Sequence, residues 1–239
     1  MHNSVKGTCR TLNTKTFKYG KIYHNIMVKD KKNRKNSLKQ KNGLNLSLKE
    51  KILKYLIENK EKPATIRQIS KDLNVDYKNI FQAINNLSKV IYKEKFGNAN
   101  KIEIKLKSSS EILSVENKRA NQFLKKNRRL ELIRRDIKDI DYPFLIVLVF
   151  GSYVKKTKTE KSDIDICIIC DSREETKKLI SKLELLPINI EIHNFTAGEF
   201  ESMVKTKEEN VGKEIIKNNI ILYGIENYYN LISKWMKKE

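Results

Sequence analysis

The amino-acid sequence predicts an α+β fold, in which an N-terminal helical part with a β-hairpin leads through a long connecting helix to a C-terminal mixed sheet flanked by helices. Three features support this prediction. Helix-capping patterns recur between residues 46 and 90, before apolar and charged residues that alternate at 101–107. A continuous apolar run occupies residues 144–150, as in a strand that is buried on both faces. Apolar and polar residues alternate at 188–193, which is typical of a half-buried strand.

The positive charge of the chain is concentrated in its front part. Residues 1–140 carry 35 Lys and Arg residues against 13 Asp and Glu, a net charge of +22, whereas residues 141–239 carry 15 against 16, a net charge of −1. A basic region of this kind usually marks contact with a polyanion, most often nucleic acid. An AT-rich genome or a hot habitat also favours Lys, Asn and Ile, but such a bias should act on both halves. Nucleic acid is therefore the favoured partner.

Membrane insertion, secretion and disulfide scaffolding are not expected. No run approaches the ~18 apolar residues of a membrane span, and the Lys- and Asn-rich N-terminus lacks the apolar segment of a signal peptide. The sequence therefore predicts a soluble, cytoplasmic protein. Of its three cysteines, Cys167 and Cys170 have C-x-x-C spacing but lie in an apolar, strand-like run. We expect them to be packed thiols, since no further metal ligands lie nearby in the sequence.

The front part divides into three segments. Residues 1–44 form a polar arm with 12 basic residues and one acidic residue, too charged to bury a core. It is expected to be flexible, and is either a nucleic-acid arm or a solubilising tail. Residues 45–107 contain three capped helices, then strands at 91–96 and 101–107 around a turn at 97–100. In residues 108–140 the sequence predicts one basic helix, from about Glu111 to Asp139. This helix is a connector between domains, a dimer helix or part of a nucleic-acid track.

The order of elements in residues 46–107, three helices and then a β-hairpin, resembles a winged-helix domain. In that family the third helix enters the major groove of DNA and the hairpin touches the backbone, so the resemblance implies double-stranded DNA as a partner. Winged helices also serve as protein–protein modules, and the basic charge favours DNA. Gln and Asn can pair with adenine, and Lys with phosphate. The residues expected to bind DNA are Lys78, Gln82, Asn85 and Lys89 on the third helix, and Lys93, Lys95 and Lys101 on the hairpin.

The back part, residues 141–239, carries a pattern that indicates phosphate and metal chemistry. Gly151 and Ser152 end the apolar strand, and Asp163 and Asp165 follow after ten further residues. Side chains alternate along a strand, so the two carboxylates are expected to share one face, where they repel each other unless a cation lies between them. Oxygen ligands near a triphosphate suit Mg²⁺. Gly151 allows the backbone to approach a phosphate, and Ser152 offers a hydroxyl and an N–H.

This pattern resembles the minimal nucleotidyltransferases of the DNA polymerase β superfamily, and it reads here as GSYVKKTKTEKSDIDI, residues 151–166. The resemblance implies that Gly151 and Ser152 hold the β- and γ-phosphates of a nucleoside triphosphate. It also implies that Asp163 and Asp165 bind two Mg²⁺ ions, with Mn²⁺ as a substitute, and that a third carboxylate lies on a neighbouring strand. The candidate is Glu191, a catalytic residue and metal ligand, if its face of the strand matches the Asp face.

Several residues around this pattern are less specific. Many members of the family have a small residue and then Gly after the Gly-Ser pair, whereas this chain has Tyr-Val-Lys-Lys. We expect Lys155 and Lys156 to assist phosphate binding, with Ser162 nearby. His193 lies on the same strand face as Glu191, but a lone strand histidine is more often structural or solvated.

Three functions fit the sequence. The favoured one is an enzyme that moves a nucleoside monophosphate from a nucleoside triphosphate to an acceptor hydroxyl and contacts nucleic acid. The alternatives are a DNA-binding regulator that senses nucleotides, and an antitoxin-like enzyme that transfers AMP to a protein partner.

Overall fold

The computed structural model describes residues 46–97, 99–137, 139–140, 142–155, 157 and 162–234. The predicted basic arm at 1–44 lies outside the described residues. The described residues belong to one compact unit. Among them, no helix has the length and apolar character needed to cross a membrane.

The N-terminal part of this unit combines three helices with a small antiparallel sheet. Side-chain caps at Ser47, Thr65 and Asp76 begin the helices, as the sequence predicts. Phe96 pairs with Ala99, so the hairpin turn is shorter than the predicted one and the second hairpin strand starts earlier. The sheet has the order β1-β3-β2. The elements are α1 (Leu48–Glu58), β1 (Ala64–Thr65), α2 (Ile66–Leu73), α3 (Tyr77–Asn85), β2 (Ile91–Phe96) and β3 (Ala99–Ile104).

The connecting segment is not one helix, and the prediction of a single long helix is wrong. The chain forms α4 (Ser110–Lys126), a 3-10 turn (Arg128–Leu130) and α5 (Glu131–Ile137). Asn127 ends α4, and its side-chain amide donates to the Phe123 carbonyl at 2.9 Å. Such a side-chain bond to the backbone competes with helix continuation.

The C-terminal part is built on a mixed four-stranded sheet with flanking helices, which confirms the predicted architecture of this region. Its strand order is β6-β5-β4-β7, and β4 runs antiparallel to both β5 and β7. β5 and β6 are parallel. The elements are β4 (Leu145–Val149), α6 (Gly151–Lys155), β5 (Ile164–Cys170), α7 (Arg173–Glu184), β6 (Ile190–Phe195), α8 (Ala197–Lys205), α9 (Val211–Lys217), β7 (Ile220–Tyr223) and α10 (Ile225–Ser233).

Both faces of this sheet are buried, as the continuous apolar run of β4 predicts. One face, with Ile146 and Leu148, belongs to a hydrophobic cluster that also contains Ile52 of α1 and Tyr228 of α10. The other face packs against a second cluster that includes residues of α5 and α7. Cys167 and Cys170 are buried free thiols, as expected.

Candidate active site

The site begins at the end of β4, where the Gly-Ser pair meets β5. Gly151 is buried and has φ +66°, a left-handed conformation that favours glycine. A Cβ atom at this position would lie 1.9 Å from Oδ2 of Asp165. The Ser152 backbone N–H donates a hydrogen bond to the Asp165 carboxylate. Glycine is therefore required here by the carboxylate of the motif itself.

The pairing of β5 with β6 decides which face Glu191 occupies. The two strands are parallel and in register, with Asp165 opposite Glu191 and Cys167 opposite His193. Paired residues of neighbouring strands point to the same face of a sheet. The Glu191 side chain therefore lies on the Asp165 face, a question that the sequence left open. Asp163 lies directly before β5 and is exposed.

Three side chains come together as a group of candidate metal ligands. One ligand atom from each of Asp165, Glu191 and His193 lies within 4.8 Å of the other two. Oε1 of Glu191 is 3.2 Å from Nε2 of His193. Asp163 is not part of this group. The sequence analysis did not predict His193 as a site residue, although the alternation along the strand places it on the same face as Glu191.

The electrostatics of this group favour a cation. Burial raises the pKa of Asp165 above its usual range, and the nearby negative charge of Glu191 raises it further. Glu214 adds a smaller effect of the same sign, whereas the Ser152 hydrogen bond and His193 lower the pKa. Two carboxylates and an imidazole are a donor set that divalent cations accept. The residues present thus fit the metal that the sequence pattern implies.

The other predicted nucleotide-binding residues have varied surroundings. Lys155 is exposed and forms an ion pair with Glu214 of α9, with Nζ 2.6 Å from Oε1. Lys156 lies outside the described residues. Ser162 is half-buried in a cleft of about 440 Å³. This cleft is also lined by Lys126 and Arg128, two basic residues that the sequence analysis did not assign to a site. They lie there because the helix α4 ends at Lys126.

Most of the residues predicted to bind DNA lie on α3 and the hairpin. The placement of Lys89 on the third helix is wrong, because α3 ends at Asn85 and Lys89 lies in the turn before the hairpin. Lys101 is half-buried and pairs with Glu103 at 2.9 Å, and Asn85 accepts a hydrogen bond from Lys93 at 3.1 Å. Three exposed aromatic residues that were not predicted as site residues share this region: Tyr77, Phe81 and Tyr92. The remaining predicted residues are exposed, namely Lys78, Gln82, Lys89 and Lys95.

Comparisons with known proteins concern the C-terminal part of the chain. Residues 130–223 match a family described as the nucleotidyltransferase domain. The chain is also similar to the "Putative protein adenylyltransferase MJ1547" of Methanocaldococcus jannaschii. The two are 28% identical over 98 residues, which cover 39% of this chain and 70% of that relative. The C-terminal part of this chain thus matches the nucleotidyltransferase domain, and the protein is a nucleotidyltransferase whose acceptor these matches leave open.

Proposed function

We propose that this enzyme transfers a nucleoside monophosphate from a nucleoside triphosphate to an acceptor hydroxyl, at a metal site formed by Asp163, Asp165 and Glu191. The observation that carries this proposal is the parallel register of β5 and β6, which sets Glu191 opposite Asp165. A third carboxylate on a strand beside the Asp-x-Asp strand is what the resemblance to minimal nucleotidyltransferases implies. The buried Gly151 next to Asp165 supports the same assignment.

The proposed roles follow from the chemistry of each side chain. Two Mg²⁺ ions at this site would neutralise the charge on the triphosphate and on the attacking and leaving oxygens. Gly151 leaves the space that the Asp165 carboxylate occupies, since a Cβ atom there would lie 1.9 Å from Oδ2. The Ser152 hydroxyl and the ammonium groups of Lys155 and Lys156 are proposed to bind the phosphates, with Ser162 as a further hydroxyl beside them.

Two observations bear on the acceptor. The relative from Methanocaldococcus jannaschii has a name that specifies protein adenylylation. We therefore propose ATP as the donor and a protein hydroxyl as the first acceptor to test. The charge of +22 in residues 1–140 favours a second candidate, the hydroxyl end of a nucleic acid.

We further propose that residues 46–107 are a winged-helix module that binds double-stranded DNA. Support comes from the exposed face where α3 meets the hairpin. The rings of Tyr77 and Phe81 are stacked with centroids 6.4 Å apart, and Nζ of Lys93 lies 4.7 Å from the centre of the Phe81 ring. Nζ of Lys105 lies 5.1 Å from the centre of the Tyr92 ring. Aromatic rings beside lysines are a surface that suits phosphates and bases.

The transfer reaction is tested with α-³²P-labelled nucleoside triphosphates and Mg²⁺, with DNA, RNA and cell extract as acceptors. We expect Asp163→Asn, Asp165→Asn and Glu191→Gln to lose at least ~10³-fold in rate, because each removes a charged metal ligand. Matched controls are Asp139→Asn and Glu184→Gln, since both side chains are exposed and neither belongs to the site. Wild-type activity in Asp165→Asn contradicts the assignment. Bound nucleotide without label on any acceptor favours the nucleotide-sensing regulator instead.

The DNA-binding module is tested by the salt dependence of duplex binding. Substitution of Lys93 and Lys95 by Gln is expected to weaken duplex binding. It should also reduce the slope of the log association constant against log salt concentration by about 1 for each lysine. Lys177→Gln and Lys205→Gln remove two exposed lysines of α7 and α8 and serve as controls. An equal change in both pairs contradicts a specific role for the hairpin.

A further inference from the structure

We propose that His193 supplies a nitrogen ligand to the cation held by Asp165 and Glu191, so that this site prefers Mn²⁺ to Mg²⁺. The inference rests on the metal site of the proposed function and adds to it a ligand that the sequence pattern of carboxylates does not contain. It concerns the choice of metal.

The first support is the distance between the ligand atoms. Two ligands at right angles around an ion, each ~2.1 Å from it, are about 3.0 Å apart, and opposite ligands are about 4.2 Å apart. The Nε2 atom of His193 is 3.2 Å from Oε1 of Glu191, and one ligand atom of Asp165 lies within 4.8 Å of both residues. The first separation suits neighbouring positions of one coordination sphere, and the Asp165 atom is near enough to join them after a small side-chain movement.

The second support is the packing that fixes the imidazole. The ring of Phe150 makes an edge contact with the ring of His193, with centroids 5.2 Å apart and planes at 65°. Phe150 is buried, and its backbone N–H donates to the Asp165 carbonyl at 3.1 Å. The residue that orients the imidazole is thus tied to the strand that carries the carboxylate. A ligand held in this way loses little conformational entropy when a metal binds.

The third support is the charge around the group. Asp165 and Glu191 are within the group, and the nearby Lys155 is already paired with Glu214. Cys167, beside His193 in the strand pairing, is a buried free thiol and is not part of the group. The donors of this group are therefore two carboxylates and one imidazole, beside the Asp163 carboxylate that the proposed function adds.

The metal preference follows from this donor set. Mg²⁺ prefers oxygen ligands in near-ideal octahedral geometry and retains several waters. Imidazole nitrogen is a better ligand for first-row transition metals, and carboxylates accept Mn²⁺ as readily as Mg²⁺. A site with one nitrogen and two carboxylates should therefore hold Mn²⁺ more tightly than Mg²⁺.

The test uses full-length protein with Mn²⁺ alone, without nucleotide, and pulsed electron paramagnetic resonance. Wild-type protein is expected to show ¹⁴N modulation from a coordinated imidazole, and His193→Gln to lose it. The chain has two other histidines, His2 and His24, both outside the described residues. The His2→Gln/His24→Gln variant is the matched control and should keep the modulation. His193→Gln should also weaken Mn²⁺ binding by about tenfold or more, and Mg²⁺ binding by less than about threefold.

The outcomes separate this inference from the proposed function. Mn²⁺ that binds without ¹⁴N modulation, or modulation that survives in His193→Gln, overturns the role of His193, while label transfer with Mg²⁺ leaves the enzyme assignment intact. If Asp165→Asn binds Mn²⁺ and Mg²⁺ as tightly as the wild type does, the metal site and the inference are both overturned. Unfolding curves of His193→Gln show whether the variant is folded before its metal binding is interpreted.

Discussion

Substitution of Gly151 by Ala tests whether the Gly-Ser motif and the Asp165 carboxylate form one structural unit. Alanine in a left-handed conformation costs roughly 1 kcal/mol, after the gain from a less flexible unfolded chain. The new Cβ would also lie 1.9 Å from Oδ2 and 2.7 Å from Cγ of Asp165. The carboxylate must then move and lose its bond from the Ser152 N–H, a charged hydrogen bond worth about 1.5–3 kcal/mol. Gly151→Ala should therefore lower the free energy of unfolding by about 2.5–4 kcal/mol.

A second glycine provides the matched control for this substitution. Gly97 also has a positive φ, +56°, but a Cβ there would meet no atom of the described residues within 4 Å. Gly97→Ala should therefore cost only the backbone part, roughly 1 kcal/mol. Gly198 has no positive φ and no close neighbour among the described residues, and alanine is the better helix former. Gly198→Ala should be neutral or slightly stabilising.

A double-mutant cycle with Asp165→Ala isolates the contact. In that background Oδ2 and Cγ of Asp165 are gone, and the new Cβ would meet the remaining Cβ of residue 165 at 3.3 Å. The cost of Gly151→Ala should fall to roughly 1 kcal/mol, which gives a coupling energy of about 1.5–3 kcal/mol. The free energies come from urea unfolding of metal-free protein. An equal cost of Gly151→Ala in both backgrounds refutes the reasoning.

Three further predictions concern the site and its support. The folded-state pKa of Asp165 is raised, so ionisation of this residue destabilises the fold as the pH rises from the usual value of 3.8 through the raised one. Metal-free Asp165→Asn should therefore be more stable than the wild type at pH 7 in urea unfolding, and this difference should disappear below the usual pKa. Glu214→Gln should change the free energy of unfolding by less than ~1 kcal/mol, because its pair with Lys155 is largely exposed, and should lower the KM for the nucleoside triphosphate. A raised KM in that variant contradicts a phosphate-binding role for the freed lysine. Tyr229→Phe should cost about 1.5–3 kcal/mol in thermal or urea unfolding, because the buried hydroxyl donates to Glu116 at 2.7 Å, and a loss below about 0.5 kcal/mol contradicts this.

The sequence could predict the strands of the site but not their pairing. Alternation along β6 placed Glu191 and His193 on one face of that strand. Which face of the sheet this becomes depends on the neighbour and on the register, and a shift of one residue reverses it. The register of Asp165 with Glu191 joins strands separated by the whole of α7. The local sequence does not determine which strands pair or in which register they do so.

The end of α4 at Lys126 could not be predicted from the sequence for a different reason. Apolar residues continue at helical spacing across Asn127, from Phe123 to Leu130 and Ile133, and the last two are buried. Periodicity therefore indicated one helix. The interruption depends on one side-chain amide that bonds to the backbone of its own helix. Asparagine also occurs within helices, so its presence alone did not predict a stop.

The family match and the structural unit have different limits, and the difference bears on how the active site is supported. The match covers residues 130–223, but the sheet face that carries Asp165 shares its hydrophobic cluster with Ile112 of α4 and Tyr228 of α10. The Arg119 guanidinium of α4 donates to the backbone carbonyl of Asn219, next to β7, at 3.0 Å. Because cores are close-packed, a change in α4 acts on the sheet that positions the carboxylates. The connecting segment is therefore a structural support of the sheet that carries the candidate site.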